Sequence, residues 1–384
     1  MENRKLKILQ AVYCLGRGGA EKLAIDITRQ LASYEDVEVL LISFDKTVDY
    51  EYSTEDINYK FCPANVRLSL LGTSQKEIEN YVDVVKNFKP DIIHSHRYLA
   101  EVITREYVEK DIVYFTHCHD NIVQFQNFSC TTLFYKKRLT NYFERLRLFI
   151  RYKSCNNFFI AISKDTKKYF TNVLPPKLQG NMYLLYNAIN FKQLNSLSWN
   201  RSLKSVNLIN VGNFSIKKNQ IFLVEVMRHL RSMKVEANLT FLGDGTELEK
   251  VQEAVNSYGL NNSVHFAGNV SNVSDYLKEA NLYVHSAFYE PFGLVLLEAM
   301  AIGLPVVAID GKGNRDIVFD DKNGYMVEAD AAIFAKKISS IFKDEARYTQ
   351  LSENAKRFAA EYDINLYTDK LLKIYRDAVL KASG

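Results

Sequence analysis

Residues 286–310 read Ser-Ala-Phe-Tyr-Glu-Pro-Phe-Gly-Leu-Val-Leu-Leu-Glu-Ala-Met-Ala-Ile-Gly-Leu-Pro-Val-Val-Ala-Ile-Asp. Two carboxylates, Glu290 and Glu298, bracket the first half of this stretch. The apolar run between and after them is broken by Gly303 and Pro305, which predicts a short helix ending there and a buried strand over residues 306–309. Glu298 is then a carboxylate on an otherwise apolar helix. Burying such a charge without a partner is costly, so it takes the one wet face of that helix or meets a ligand. Pro291 suits a first helical turn, where its missing amide hydrogen would be an orphan, and Gly293 lets a group approach the backbone closely. Backbone amides over residues 292–295 would point outward as an anion site, matched to a phosphate or diphosphate. Taken singly, each glutamate is an ordinary surface residue; their spacing around Pro-Phe-Gly singles them out.

Upstream of this stretch, strand-like runs at residues 206–211, 237–242, 264–266 and 282–285 alternate with helical patterns near 219–231, 247–258 and 273–278. The first part of the chain repeats the scheme. Strands are expected at 7–13, 37–44, 91–94, 112–115, 158–162 and 182–186, with helices at 20–31 and 75–88. Alternating strands and helices imply parallel sheets covered on both faces, hence an α/β chain of two Rossmann-like domains. The polar, aperiodic segment after Asn190 reads as the linker. Residues 1–192 and 203–362 would form the domains, with 363–384 a terminal helix. Ligands of open α/β sheets bind at the carboxyl ends of the strands, so two such domains would meet across a lined cleft.

The Glu-x7-Glu stretch resembles the donor-binding signature of the retaining, nucleotide-sugar-dependent glycosyltransferases of family four, which have the two-Rossmann GT-B fold. The resemblance runs through nearly the whole chain. It implies that Glu298 accepts hydrogen bonds from the ribose, that Glu290 lies against the transferred sugar, and that Pro291, Phe292, Gly293 and Leu294 hold the phosphates. Lys218, six residues beyond Gly212, matches the lysine that grips the diphosphate, where an ammonium would neutralise charge growing on the leaving group. The family commonly has an arginine directly after that glycine; this chain has Asn213, so either Lys217 compensates or the helix N-terminus carries more of the charge. Gly243 and Asp244 resemble an element near the nucleotide base, and Gly18 and Gly19 a loop facing donor phosphate and acceptor. In the run Thr-His-Cys-His-Asp over 116–120, the resemblance sets His119 beside the sugar, with His117 as the competing register, and His96 near the acceptor. As residues alone, His117 and His119 suggest a metal, but two histidines on one strand face lack third and fourth ligands. A structural role for each histidine remains the rival. The role of the glycine loop over 311–316 stays open, and the family's terminal helix packs back on the first domain.

No Asp-x-Asp triplet occurs, which together with Lys218 points to transfer without a metal or other cofactor. At 384 residues, 47% hydrophobic and 24% charged, the chain reads as a soluble globular protein, and a net charge of +4 is too small to argue for nucleic acid. Five cysteines without a Cys-x-x-Cys pair fit reduced thiols in the cytoplasm, and no signal peptide or spanning segment is apparent. The segment 136–153 carries seven cations against Glu144, with Leu139, Phe143, Leu146, Phe149 and Ile150 at helical steps. It is either a solvated face over a core-facing side or a peripheral contact with the inner face of a membrane. The expected activity is retaining transfer of a sugar from a nucleoside diphosphate sugar, UDP foremost, to a hydroxyl of a glycan or lipid-linked acceptor in surface polysaccharide synthesis. The alternatives are a sugar-nucleotide epimerase of the same fold and a catalytically silent, sugar-nucleotide-binding partner subunit.

Overall fold

Short apolar runs closed by glycine or a polar turn become parallel strands in the computed structural model, which describes residues 4–49, 54–68, 74–125, 135–196, 203 and 205–383. The chain divides into two units, Met1–Asn187 with Ile364–Gly384, and Ala188–Asp363. In the first, β1 (Leu6–Val12), β2 (Val37–Ser43) and β3 (Tyr59–Phe61) are followed by a hairpin of β4 (Asn65–Arg67) and β5 (Gln75–Glu77), then β6 (Ile92–His96), β7 (Val113–Cys118), β8 (Asn156–Ala161) and β9 (Met182–Leu184). Its sheet has the order β3-β2-β1-β6-β7-β8-β9, with every neighbouring pair parallel. The helices of this part are α1 (Gly19–Leu31), α2 (Glu79–Phe88), α3 (Tyr98–Thr104), α4 (Lys136–Lys153), α5 (Lys164–Val173) and α6 (Pro176–Gln179). One sheet face buries Leu9, Ala11, Leu40, Ile42 and Ile93 against Tyr81, Val84 and Val85 of α2, each leucine, isoleucine and valine contributing about 1.5–3 kcal/mol of transfer free energy.

The second unit holds α7 (Phe191–Asn195), β10 (Val206–Val211), α8 (Gln220–Ser232), β11 (Ala237–Leu242), α9 (Leu248–Ser257), β12 (Val264–Gly268), α10 (Val273–Glu279), β13 (Leu282–His285), α11 (Leu294–Ala301), β14 (Val306–Ile309), β15 (Gly324–Val327), α12 (Ala331–Phe342) and α13 (Glu345–Ala360). Its sheet runs β12-β11-β10-β13-β14-β15, again all parallel. The terminal helix α14 (Ile364–Ser383) belongs to the first unit and packs against α1.

Three local expectations are corrected. Residues 75–77, expected to open a helix, form β5 against β4 instead, and α2 starts only at Glu79. The exposed Gln75, Lys76 and Glu77 offer a helix no apolar face, so pairing decides. The expected linker begins with a helix, α7, because Phe191 and Leu194 fall three residues apart and pack it on α11 and α13. The Ile189 amide donates to the Tyr362 carbonyl at 3.0 Å, fastening this segment to the second unit. On α4 the buried positions are Leu148, Phe149 and Tyr152, whereas Leu146 and Ile150, read as core-facing, are 43% and 66% exposed. Arg147 and Arg151 turn the register, since both bind the buried Glu106 carboxylate, at 2.9 and 3.2 Å. Cys130 lies outside the described residues.

Candidate functional site

In the second unit, strand order reverses between β10 and β13, and a crevice forms outside the carboxyl ends of strands at such a point. The two loops that leave there carry Lys218 and Glu290. They are stitched together: Phe288 donates its amide to the Lys217 carbonyl at 2.9 Å, and Ser286 donates its hydroxyl to the Lys218 carbonyl at 2.8 Å. Lys218 Nζ then lies 2.5 Å from Glu290 Oε2, and His285 Nε2 is 3.4 Å from the same oxygen. Burial alone would raise the Glu290 pKa, but the Lys218 ammonium and His285 hold it well below the usual carboxylate range. His285 is itself pushed down by burial, against the pull of Glu290, and stays neutral. The result is an ionised carboxylate holding an ammonium in place.

Gly293, with φ of +103°, is the N-cap of α11, so the chain turns sharply from Glu290 into the helix. The amides at the start of α11 have no partner within the helix and give that end a positive potential. Pro291 and Leu294 are half-buried, and Phe292 is buried against Tyr362. Glu298, half-buried, lies one turn further on. Burial foremost, then the fields of Glu290 and Glu298, raise the Tyr283 phenol. Tyr283 donates to the Val211 carbonyl at 3.1 Å, at the end of β10.

Gly243 and Asp244 follow β11 and press on the loop of Asn213. A Cβ at Gly243, where φ is +132°, would stand 2.2 Å from the Gly212 carbonyl oxygen, so only glycine allows the two loops to touch. Phe214 donates its amide to the Asp244 carbonyl at 2.9 Å. Asn213 is exposed, as is Lys217.

The glycine loop whose role the sequence left open supports Glu290. The Glu290 amide donates to the Gly311 carbonyl at 2.8 Å, and the Gly313 amide donates to the Glu290 carbonyl at 3.0 Å. Gly313 also closes back on Gly311 at 3.0 Å, with Lys312 between them at φ +73° and ψ −71°, the strained form of a three-residue turn. Asn314 is fully buried and bonds both the Gly311 amide and the Ile309 carbonyl at 2.9 Å. A Gly-x-Gly-Asn run directly after a buried strand was the available signal.

The first unit gathers a second group. Its strand order reverses between β1 and β6, the strands that lead to Gly18 and Arg97. Gly18 is the N-cap of α1 and Gly19 its first residue. The buried Glu21 folds back over Gly18, where a Cβ would stand 2.1 Å from its Oε2, and its Oε1 accepts from Arg97 at 2.5 Å. Arg97 holds φ at +68°, unusual for arginine, to make this contact. Glu21 and Arg97 escaped the sequence reading as a pair, since nothing in the order of residues brings β6 to α1.

His96, His117 and His119 lie together, and the reading of two isolated histidines is corrected. Register pairs His96 with His117, and alternation puts His94 on the same face. The rings of His94 and His96, His94 and His117, and His117 and His119 stack at 4.5, 5.0 and 4.0 Å. His94, His96 and His117 bring nitrogens within 4.8 Å of one another, the one group of metal-ligand type found among the described residues. Both nitrogens of His96 are already hydrogen-bonded, to His119 and Gln10, and the near-parallel rings direct their in-plane lone pairs alongside one another. His96 and His117 are 1% and 2% exposed, beneath His119, which is half-buried. Burial pushes all four imidazoles down, His117 to about 3, so they are neutral at pH 7.

Residues 193–358 match the sequence model of the family described as Glycosyl transferases group 1, and residues 17–193 match that of Glycosyltransferase Family 4. Over 169 residues the chain is 26% identical to the putative glycosyltransferase EpsD of Bacillus subtilis, covering 44% of each chain. It is 30% identical over 169 residues to the lipopolysaccharide core biosynthesis glycosyltransferase LpsE of Rhizobium meliloti, covering 44% of this chain and 48% of that one. The chain thus spans about half the length of the curated relatives it matches. The crystal structure of Anabaena HepE in complex with UDP has the same fold, with a TM-score of 0.76 over 97% of this chain and 100% of that one at 19% identity. With both halves matched and two Rossmann-like domains in sequence, the chain belongs to the family-four glycosyltransferases of GT-B fold, the glycosyl transferases of group 1.

Proposed function

We propose that this protein transfers a sugar, with retention at the anomeric carbon and without a metal, from a UDP-sugar to a hydroxyl of a glycan or lipid-linked acceptor in polysaccharide synthesis. The observation that carries the reading is the Lys218 ammonium held by Glu290 where β10 and β13 diverge, beside the first turn of α11. A diphosphate laid there meets one held cation and a row of backbone amides, which together stabilise charge growing on the leaving phosphate. Glu298 accepts from the ribose, Glu290 and His119 orient the sugar, and Gly18 and Gly19 of the first unit are the further phosphate contacts. With no carboxylate assigned as a nucleophile among the described residues, the acceptor attacks from the face that the diphosphate leaves. The choice of uridine is supported by the UDP-bound state of HepE, and the acceptor class by the name of LpsE.

No helix among the described residues is long and apolar enough to cross a membrane. The outward Tyr135, Leu146 and Ile150, flanked by the exposed Lys136, Lys137, Arg138 and Lys153, support a peripheral contact with anionic lipid at the cytoplasmic face. The test is incubation with a panel of nucleotide sugars in chelator, reading nucleotide release and the anomeric configuration of the product by NMR. Release of UDP with an anomer matching the donor supports the reading. Interconversion of the donor alone would make the protein an epimerase, and an inverted product would overturn retention.

A further inference from the structure

A hydrogen-bonded relay runs from the terminal helix to His119. Gln10, on β1 beside His94, is fully buried; its Nε2 donates to the Tyr375 hydroxyl at 3.0 Å and its Oε1 lies 2.7 Å from His96 Nε2. His96 Nδ1 lies 3.0 Å from His119 Nε2, and Tyr375 also contacts His94 Nδ1. A neutral imidazole has one N–H and one acceptor nitrogen, so protons along the relay follow one another. Gln10 Oε1 only accepts, hence His96 carries its proton on Nε2. His96 Nδ1 is then an acceptor, hence His119 carries its proton on Nε2. The Tyr375 hydroxyl, accepting from Gln10, donates to His94 Nδ1. Burial keeps the phenol protonated and the imidazoles neutral, as this ordering requires.

We propose that Gln10 is a positioning residue: through His96 its carboxamide fixes His119 as the Nε2–H tautomer, leaving Nδ1 as an acceptor for a hydroxyl of the bound sugar or acceptor. The functional half rests on the reading of His119 as a sugar-contacting residue; the tautomer itself does not. An acceptor-only nitrogen selects a ligand that offers a hydroxyl, so a deoxy analogue lacking that group is transferred about tenfold less well.

The full-length protein labelled with 15N-histidine, with His119→Asn to assign the resonance, reports the tautomer by long-range proton–nitrogen correlation at pH 7.5. His119 is expected with Nε2 protonated and Nδ1 bare. Gln10→Met keeps the volume but removes the acceptor for His96, so His96 moves its proton to Nδ1 and drives that of His119 to its own Nδ1. Turnover then falls about tenfold while UDP affinity, set in the other unit, is unchanged. A wild-type His119 protonated on Nδ1, or one indifferent to Gln10→Met, overturns the proposal, and the first readout needs no variant to fold. The expected tautomers in a protein that transfers no sugar would uphold the relay and overturn the activity.

Discussion

Lys218 Nζ stands 2.5 Å from a carboxylate oxygen of Glu290, a residue only 7% exposed, although 72 residues separate the two in sequence. Each is the other's principal charge partner. Lys218→Ala therefore removes the cation for the leaving phosphate and leaves Glu290 with the neutral His285 alone. Turnover is expected to fall about 100-fold or more, the usual loss when one preorganised charge-stabilising donor is deleted. Steady-state kinetics check it; unchanged turnover would remove Lys218 from the chemistry.

Glu298 sits on α11, one turn beyond its first residue Leu294 and eight residues after Glu290. Glu298→Gln keeps shape and drops charge, so nucleotide affinity falls about tenfold, the cost of weakening a hydrogen bond to an ionised acceptor, with turnover at saturation nearly retained. Calorimetry with UDP beside saturation kinetics separates the two parameters.

Gly313 packs on the backbone that carries Glu290: a Cβ would stand 2.0 Å from the Pro291 carbonyl oxygen. Gly313→Ala cannot be absorbed by a side-chain rotation, so transfer is lost and the melting temperature drops. Gly180→Ala is the control, since its φ of −67° suits alanine and no atom lies within 4 Å of the new methyl group. Its stability should stay within about 0.5 kcal/mol of wild type or rise slightly. Equal effects of the two substitutions would refute the packing account.

The pH dependence of stability has a fixed sign. His94, His96, His117, His119 and His285 have folded pKa values below the unfolded value near 6.5, so the unfolded chain binds more protons. Their contribution is complete above about pH 6.5 and is lost as pH falls toward the folded values. Glu290, depressed by Lys218, adds a further loss below the unfolded value near 4.3. Urea unfolding followed by circular dichroism should show a falling midpoint between pH 7.5 and 5. A flat midpoint would mean that these rings are solvated.

On α4, Leu146 and Ile150 face outward beside Lys153, with Lys136 to Arg138 at the helix start. Co-sedimentation with anionic vesicles should be salt-sensitive. The double substitution Lys136→Glu, Lys137→Glu should weaken it tenfold or more, at about 1 kcal/mol per surface cation. Salt-insensitive or absent binding would leave α4 a solvated helix.

Local sequence carried much of the fold. The apolar runs of β10, β13 and β14, and the Glu290, Gly293 and Glu298 spacing, are signals written within a few residues, and the structure realises them as strands and as the turn into α11. What escaped is what depends on distant chain. β5 forms because β4 lies opposite, α7 because α11 and α13 offer it a surface, and α4 turns its register toward Glu106. The histidine stack is of the same kind: β6 carries His94 and His96, β7 carries His117 with His119 just past its end, and only the His96 to His117 register brings the four together. The resemblance singled out Lys218 and Glu290 separately, but their ion pair, made across 72 residues, and the support of Glu290 by Gly311 and Gly313 arise from packing that no periodicity reports.

Calorimetric titration of UDP and of uridine into wild type, Lys218→Ala and Glu298→Gln tests the central claim most directly. A diphosphate gripped by Lys218 and the start of α11, with the ribose on Glu298, predicts that wild type binds UDP far better than uridine. It also predicts that Lys218→Ala erodes this preference for the diphosphate, while Glu298→Gln weakens both ligands together. Equal affinity of all three proteins for UDP, or no binding by wild type, would contradict it.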